Sequence, residues 1–272
     1  MTIVTEPGFY NLPEGEYHAD QSLAPTLGRS LSSSGAKTIL DTPARYLWER
    51  ENPKYKDAWD VGTIAHKLIL RSDDNRIRVA DTYDWKHWQK WNPWKAEQRA
   101  DGLVPIHRGD LLAASKMASA VRRHPVASAI FASGSPETSF YWIDEGTGVT
   151  CRGRVDWLRD NAIVDLKTIN RADVRTITRQ SADYGYAQQA DFYRRGIYAL
   201  TSQWLPFVHV FVENEAPHIV HVVQLSDDFL DIGAARNDQA LAIFAECESS
   251  GQWPAYSEHG ITLIHPPAWL SA

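Results

Sequence analysis

Apolar residues follow two different periods along the chain, and the period predicts the element. In "WDVGTIAHKLIL" they recur at three- and four-residue steps, the spacing of an amphipathic helix, with His66 at the edge of the apolar stripe. Ser32, Ser33 and Ser34 are candidate N-caps for an earlier helix, and Pro43 opens another. The same reasoning predicts four further helices: over "GDLLAASKMASAVRRH", around 170–182, around 186–200, and from after Ser226 to near Gly251.

Alternation of apolar and polar positions predicts five strands. They are Glu137 to Ile143, two runs within "GRVDWLRDNAIVDLKT" (residues 153–168), "FVHVFVE" and "HIVHVVQL". Asp160 and Asn161, between the two runs, favour a two-residue turn, so the first three strands form a meander. Helices, a meander, further helices and two strands indicate an α/β fold. We expect one domain over residues 1–272, with a central mixed β-sheet flanked by helices.

One segment fits neither period. Residues 73–108 are polar and irregular in pattern, with Trp85, Trp88, Trp91 and Trp94 at three-residue steps, which indicates a Trp-rich insertion or lid. Packing of the insertion is the more frequent role of such a cluster, and stacking on splayed bases is the alternative. No internal repeat and no linker rich in Pro or Gly divides the chain.

The predicted hairpin carries an aspartate in each strand among apolar neighbours. The turn makes Asp156 face Asp165, which places the two carboxylates about 5 Å apart. Like charges directly opposite each other destabilise a sheet, so the pair requires a cation, and a hard divalent metal with oxygen ligands fits. Such a pair is more often a surface or turn-capping feature. Lys167, two residues beyond Asp165 on the same face, favours the catalytic interpretation.

Strand alternation also assigns the faces of the first strand of the hairpin. Arg152 and Arg154 should share the face of Asp156, while Val155 and Trp157 should share the other. Basic side chains next to paired acids are candidates for contact with a phosphate backbone. We therefore predict that Arg152 and Arg154 bind DNA.

Charge is distributed unevenly. The net charge is −6, which by itself argues mildly against nucleic acid, but residues 150–200 hold nine Lys or Arg against six acids. Arg171, Arg175 and Arg179 lie at four-residue steps, which on a helix makes one basic stripe. The first amides of that helix should also lie near the paired acids, a favourable place for phosphate. Binding would then be sequence-tolerant and salt-sensitive, although a solvated helix face is the alternative.

Composition limits the classes of protein that fit. A hydrophobic share of 43% with 11% aromatics indicates a filled core, and no apolar run reaches the roughly 18 residues of a membrane span. The N-terminus lacks a charged region followed by an apolar stretch, so we expect a cytoplasmic protein with no signal peptide and no membrane partner. Cys151 and Cys247 are the only cysteines, which argues against a disulfide framework and a Cys-rich metal site.

Four short motifs in order carry a resemblance to a known family: "GTIAH", "GRVD", "IVDLKT" with its Asp-x-Lys, and "QADFY" as a Gln-x-x-x-Tyr. The chain resembles the PD-(D/E)XK nuclease superfamily and, more closely, the RecE-type exonucleases (exonuclease VIII and phage relatives), whose RecB-like nuclease motifs share this order. "LSSSGAKTILDTPARY" and "WPAYSEHGITLIHPPAW" are similar to the beginning and end of that group. The resemblance implies a restriction-endonuclease-like PD-(D/E)XK core.

The resemblance implies a metal site. His66, Asp156 and Asp165 would bind Mg²⁺ or Mn²⁺ with the backbone carbonyl of Leu166. Lys167 would orient or deprotonate the attacking water.

Three further residues match motif positions of the family. Gln189 and Tyr193 would support the site and touch substrate, although residues four apart could also simply stabilise a helix. Glu137 would support the first metal or bind a second one. Some RecB-like relatives carry a cysteine-ligated iron–sulfur cluster, which two distant cysteines cannot build.

The resemblance also implies the activity. It predicts a metal-dependent 5′→3′ exodeoxyribonuclease that acts on double-stranded DNA ends and leaves 3′ single-stranded tails for a RecT-like annealing protein in phage recombination. It further implies a homo-oligomeric ring such as a tetramer. The same residues would also serve an end-independent or structure-specific endonuclease. A catalytically silent DNA-binding subunit is disfavoured, because Asp156, Asp165 and Lys167 are all present.

Overall fold

The computed structural model describes residues 3–19, 23, 25–52, 59–70, 77–80, 88–257 and 260–266, without the side chains of 59–61 and 88–91. The strands are β1 (Gly8–Tyr10), β2 (Leu31–Ser32), β3 (Ile77–Val79), β4 (Val104–Ile106), β5 (Ser135–Ile143), β6 (Thr150–Arg159), β7 (Ala162–Ile169), β8 (Phe207–Glu213) and β9 (Val220–Val223). The helices are α1 (Glu14–Ala19), α2 (Ser33–Asp41), α3 (Pro43–Glu51), α4 (Trp59–Leu70), α5 (Trp88–Ala100), α6 (Arg108–Arg123), α7 (Pro125–Ile130), α8 (Val174–Asp183), α9 (Tyr186–Thr201) and α10 (Asp227–Ser250).

The central sheet is mixed, as predicted. In the described part of the chain its strands follow the order β1-β5-β6-β7-β8-β9, and β2 pairs with β6 off this path. β5, β6 and β7 form the predicted antiparallel meander, whereas β7 pairs with β8 in parallel. The α/β fold with a mixed central sheet is therefore confirmed.

Helices cover both faces of the sheet and bury a separate apolar cluster on each. Ile163 and Val164 are neighbours on β7, point to opposite faces and join different clusters. The Ile163 cluster includes residues of α2, α9 and α10, and the Val164 cluster includes residues of α4, α6 and α7. The hairpin that carries the paired acids is thus enclosed between two helical layers.

Helix α9 lies unusually close to the sheet because of one glycine. A Cβ atom at Gly196 would lie only 2.5 Å from the Phe140 ring and 2.7 Å from the Trp142 ring, both on β5. Only glycine permits this approach without displacement of the aromatic rings. The approach holds the preceding turns of α9, with Gln189 and Tyr193, against the central strands.

The hairpin follows the predicted register and then opens. Arg159, Leu158 and Trp157 pair with Ala162, Ile163 and Val164, the register that a turn at Asp160-Asn161 dictates. Beyond this point β6 pairs with β2 instead, at Leu31 and Cys151. β6 and β7 therefore separate at Asp156 and Asp165, and we call this separation the strand fork.

The predicted alternation of β6 is wrong at the strand fork. Val155 packs in the cluster of α2, α9 and α10, whereas Trp157 packs in the cluster on the opposite face. Glu137, at the β5 position opposite Asp156, has a φ of +45°, a conformation that non-glycine residues rarely adopt. The regular alternation of faces along β6 is therefore broken at Asp156, between Val155 and Trp157.

The segment 73–108 is not irregular throughout. Its described part contains α5 and a parallel pair of strands, β3 and β4. Trp85 and the side chains of Trp88 and Trp91 lie outside the described residues, so the predicted role of the tryptophans stays a prediction. Within the described ranges, no helix is both long and apolar enough to cross a membrane.

Candidate active site

Asp156 fills the strand fork. Its Oδ2 accepts the backbone N–H of Leu166 at 2.7 Å, a hydrogen bond that a continuous ladder would give to a backbone carbonyl. In a strand, the N–H and C=O of one residue point to the same neighbouring strand. The carbonyl of Leu166 therefore faces the same gap, as the predicted metal site requires.

Asp165 is held by two neighbours on its face of the sheet. Lys167 Nζ donates to Asp165 Oδ1 at 2.9 Å and also lies 2.8 Å from Oδ2. Gln189 Nε2, from α9, donates to the same Oδ1 at 2.9 Å, and its Oε1 accepts from Lys167 at 3.3 Å. The three side chains form a closed set of hydrogen bonds, so the geometry brings together residues that the sequence places far apart.

His66 reaches the strand fork from the other helical layer. Its Nδ1 lies 3.7 Å from Asp156 Oδ2, too far for a hydrogen bond but close enough for both groups to contact one ion. Both side chains are partly exposed, at 28% and 22%. Helix α4 thus delivers a metal-ligating side chain to the carboxylate that lies between the strands.

The two carboxylates titrate in opposite directions. Burial raises the pKa of Asp156, and the negative charge of Asp165 adds to the rise. Burial works to raise the pKa of Asp165 as well, but Lys167 outweighs it and holds that pKa below its usual value. Burial works to lower the pKa of Lys167, but attraction by Asp165 and Asp156 raises it. A cation bound near the two carboxylates would therefore change the pKa values of Asp156, Asp165 and Lys167.

The donor set fits a hard divalent cation. Asp165 Oδ2 is buried and accepts no aligned hydrogen bond within the described chain, so it has coordination capacity to spare. No group of three His, Cys, Asp or Glu in the described ranges forms a metal cluster by itself. A cation here would need further oxygen ligands, and the backbone carbonyl of Leu166 and water are of the type that Mg²⁺ and Mn²⁺ accept.

A cavity of about 500 Å³ opens above the strand fork. Asp156, His66 and Gln189 line it, together with Tyr193 and Glu137. Tyr193 is buried, and burial raises the pKa of its hydroxyl well above the usual value, so it stays a neutral hydrogen-bonding group. All predicted catalytic side chains thus lie at this cavity or directly beneath it.

Comparison with known families identifies the domain. A family model described as "PDDEXK-like domain of unknown function (DUF3799)" matches residues 32–265. The chain belongs to this family. The family and the fold support a nuclease, and the resemblance to the PD-(D/E)XK superfamily is confirmed. No curated protein matches the sequence.

One solved structure shares the fold of this PDDEXK-like domain over nearly its whole length. A crystal structure from Eubacterium rectale, described as a "Putative exonuclease", superposes with a TM-score of 0.63 at 15% identity and covers 96% of this chain and 98% of its own. An alkaline exonuclease from Laribacter hongkongensis is more distant, with a TM-score of 0.31 at 14% identity over 72% of this chain and 96% of its own.

The N-terminus of α2 forms a wall of the cavity that the sequence analysis assigned only to helix capping. Ser32 caps the helix, with its Oγ accepting the N–H of Gly35 at 3.1 Å. Ser33 lines the cavity, is 5% exposed, and its Oγ has no hydrogen-bond partner among the described residues. An unpartnered hydroxyl at a helix N-terminus suits an anion. The run of three serines was the available signal.

Lys37, one turn further along α2, is a second residue that the sequence analysis missed. Its side chain lines the cavity, and its Nζ donates to the carbonyl of Tyr184 at 2.8 Å. Burial lowers the pKa of Lys37 to about 8, and the charge of Lys167 acts in the same direction. No local pattern marks this lysine, because the contact joins residues that lie far apart in the sequence.

Arg152 and Arg154 line the cavity, but they also hold the N-terminal segment in place. Arg152 Nη1 donates to the carbonyl of Tyr17 at 3.0 Å, and Arg154 Nη1 donates to that of Leu12 at 2.7 Å. Both guanidinium groups lie over the Tyr17 ring, at 5.1 and 5.8 Å from its centroid. DNA binding by these arginines stays a prediction, and their contacts show a structural role beside it.

The N-terminus of α8 carries an acidic cap, and its predicted contact with phosphate stays a prediction. Asp173 is its N-cap and accepts the N–H of Thr176 at 3.1 Å. That hydrogen bond lowers the pKa of Asp173 to about 2, so a carboxylate already accepts one of the first amides of this helix. Arg171 precedes the helix and Arg175 and Arg179 lie on it, and the three line a second cavity.

A buried histidine lies behind Asp165 and was not predicted. His209 is the β8 partner of Asp165 in the parallel pair, and neither of its ring nitrogens has a hydrogen-bond partner in the described chain. Burial lowers its pKa to about 4, although Asp165 acts in the opposite direction. The imidazole of His209 is therefore uncharged at physiological pH, and it packs beside Asp165 without adding a charge to the site.

Proposed function

We propose that the protein is a metal-dependent 5′→3′ exodeoxyribonuclease that hydrolyses one strand of linear double-stranded DNA and leaves 3′ single-stranded tails. The observation that carries the nuclease proposal is the strand fork, where Asp156, Asp165 and Lys167 meet beneath a cavity lined by anion-binding groups. End dependence and polarity come from the resemblance to RecE-type exonucleases.

Four groups would hold a Mg²⁺ or Mn²⁺ ion at the strand fork: the carboxylates of Asp156 and Asp165, the carbonyl of Leu166 and the imidazole of His66. The ion would supply an activated water and neutralise charge that develops on the phosphate. His66 lies on α4 and Asp156 lies on β6, so the packing of α4 against the sheet sets the distance between these two proposed ligands. Glu137 lies opposite Asp156 on β5 and would bind a second ion or support the first.

Lys167 is the proposed proton-handling residue. Its ammonium is positioned by Asp165 and Gln189 and lies 5.3 Å from the centre of the Tyr186 ring. A cation bound to the two aspartates would weaken their hold on the lysine proton and lower the pKa of Lys167. Gln189 would keep Lys167 in place while that proton moves.

The cavity wall is suited to a second phosphate of the same strand. The amides at the N-terminus of α2 and the free hydroxyl of Ser33 are donors that require no side-chain charge. Lys37 and Arg152 add positive charge to the same wall. Contacts to phosphate carry no base information, so we expect cleavage to tolerate any sequence.

Digestion of labelled DNA tests this proposal directly. Linear duplex labelled at the 5′ or the 3′ end and a covalently closed circle are incubated with the protein in Mg²⁺ and in EDTA. Early release of 5′ label from the linear duplex alone, abolished by EDTA and by Asp165→Asn, is the expected result. The matched control is Asp191→Asn, which changes a buried aspartate outside the site.

Two outcomes would replace the proposal. Cleavage of the closed circle at a comparable rate would indicate an endonuclease with the same site. Binding of DNA without cleavage in Mg²⁺ or Mn²⁺ would indicate a silent subunit.

The partners follow from the resemblance as well. We propose that the protein forms a homo-oligomeric ring such as a tetramer and delivers its tails to a RecT-like annealing protein. Light scattering during gel filtration measures the first, and a monomer at micromolar concentration would contradict it.

A further inference from the structure

A basic groove runs along α8, next to the active-site cavity. The α8 groove, as we call it, has a volume of about 540 Å³, and three arginines, two aspartates and a tyrosine are among its lining residues: Arg171, Arg175, Arg179, Asp173, Asp183 and Tyr184. Arg171 pairs with Asp173 at 3.2 Å and Arg179 pairs with Asp183 at 3.4 Å. Arg175 makes no ion pair within the described ranges and is exposed. The groove therefore offers one guanidinium without an acidic partner in the described ranges and two that form exposed ion pairs.

Tyr184 places an exposed aromatic ring at one end of the α8 groove. The side chain is C-terminal to the last turn of α8, and the residue is 59% exposed. Its backbone is fixed, because its N–H donates to Gln180 at 2.9 Å and its carbonyl accepts from Lys37. The Tyr186 ring supports it from behind, with centroids 6.0 Å apart and planes tilted by 36°. A fixed, exposed ring beside arginines is the arrangement that stacks on an unpaired base.

A hydrogen bond at this tyrosine links the wall of the α8 groove to the wall of the active-site cavity. Lys37 lines the active-site cavity and holds the carbonyl of Tyr184, which lines the α8 groove. On the other side, the Tyr186 ring contacts both Tyr184 and the ammonium of Lys167. Tyr184 therefore contacts Lys37 of the active-site cavity and lines the α8 groove with the three arginines.

We propose that the α8 groove binds a single-stranded stretch of nucleic acid, with a base stacked on Tyr184 and phosphates on Arg175 and its neighbours. Bases inside a duplex already stack on each other and present no face to a side chain, so the chemistry of Tyr184 selects an unpaired strand. The proposal rests on the proposed function in one respect, namely that the bound strand is continuous with DNA at the strand fork.

Binding of a single strand in EDTA tests the proposal without hydrolysis. The probe is a fluorescein-labelled oligothymidylate, and its anisotropy is titrated with the full chain at several salt concentrations. Tyr184→Ala should weaken binding at least about fivefold, and Tyr184→Phe should retain it, because the ring rather than the hydroxyl stacks. Arg175→Ala should reduce the dependence of log affinity on log salt by about 0.7, the value for one phosphate contact on a single strand.

Tyr198→Ala is the matched control. Tyr198 is also an exposed tyrosine, 42% exposed, but it lies on α9 against Trp204 and away from the groove. Equal affinities of wild type and Tyr184→Ala would overturn the proposal, and so would an equal loss in Tyr198→Ala. A loss by Tyr184→Ala that is as large for a blunt hairpin duplex would overturn the preference for a single strand.

This titration and the digestion assay together separate the proposal from the proposed nuclease. Tyr184-dependent binding by a protein that cleaves nothing in Mg²⁺ or Mn²⁺ would support the α8 groove and contradict the nuclease. Cleavage of DNA by a protein whose affinity for oligothymidylate ignores Tyr184 and Arg175 would do the reverse.

Discussion

Two triads of side chains are each built around a buried aspartate, with a cation and an amide as its partners. At the strand fork, Asp165 is paired with Lys167 and accepts from the amide of Gln189 at 2.9 Å. Between α9 and α10, Asp191 is paired with Arg195 at 2.7 Å and accepts from the amide of Asn237 at 2.8 Å.

The triads differ in what surrounds them. The Asp165 triad has a second carboxylate beside it, Asp156, and a cavity above it. Asn237 is fully buried and ties Asp191 to the backbone of Gln188, so its triad serves the contact between two helices. A buried ion pair is therefore weak support for a functional site, and a like charge next to an opening is the stronger sign.

The largest expected difference between the triads is catalytic. Asp165→Asn removes a proposed metal ligand and the partner of Lys167, so we expect the hydrolysis rate to fall on the order of a thousandfold. Asp191→Asn should stay close to the wild-type rate. The measurement is the initial rate on linear duplex DNA at saturating Mg²⁺, for proteins shown to be folded by circular dichroism. Equal losses in the two variants would remove the distinction between the triads.

Metal binding should stabilise the protein through only one of the triads. An ion that binds the native state alone stabilises it by about 2.7 kcal/mol at a concentration one hundred times its Kd. We expect Mn²⁺ to raise the Tm of wild type and of Asp191→Asn by several degrees, but not that of Asp156→Asn. Differential scanning fluorimetry with and without EDTA measures this. A Tm that ignores Mn²⁺ in wild type would argue against the metal site.

Removal of the amide should have opposite consequences in the two triads. Asn237→Ala removes one of the two side-chain donors of the buried Asp191 and leaves only Arg195, and we expect a loss of about 2 kcal/mol in the free energy of unfolding at an unchanged rate. Gln189→Ala should slow hydrolysis with little loss of stability, because water in the cavity can replace its hydrogen bonds. Urea denaturation and initial rates measure the pair. A slower Asn237→Ala enzyme that is still fully folded would contradict the comparison.

The smallest expected effect concerns pH. Because the pKa of Asp156 is raised above its usual 3.8, the unfolded chain loses this proton first, and the native state loses stability as pH rises through the native pKa. Asp156→Asn has no ionisable group at this position, so its stability does not fall with pH for this reason. Its stability relative to wild type should therefore increase from pH 4 to pH 7, by about 1 kcal/mol or less, the scale of a cross-strand charge pair. Urea unfolding in EDTA measures both proteins, and parallel pH profiles would show that Asp156 is not penalised.

Sequence patterns predicted the elements that depend on local preference. Ser32 caps α2, Pro43 opens α3, and the turn at Asp160-Asn161 sets the register of the hairpin. The Asp-x-Lys spacing places Asp165 and Lys167 on one face of β7, and there the two side chains form an ion pair. Each of these follows from residues close together in the chain, so no knowledge of the fold is needed.

Other structural features could not be predicted from the sequence, because contacts between residues far apart in the chain determine them. β2 pairs with β6 at Cys151 and Arg152, where β7 no longer does, and Val155 and Trp157 pack on opposite faces of the sheet. The Asp173 cap is predictable from the sequence, because aspartate directly before a helix is a favoured N-cap residue. The basic stripe of α8 indicated instead that the helix amides were open to phosphate.

The sequence by itself determined which chemical groups are available and in what local spacing: two acids, a lysine two residues on, and a glutamine and tyrosine four apart. Only the tertiary structure decided that Asp165 is buried, that His66 and Gln189 reach the site from opposite helical layers, and that Arg152 and Arg154 hold the N-terminal segment. The physical reason is that burial and charge proximity depend on which elements pack together. Local periodicity fixes the face of an element but not its neighbour.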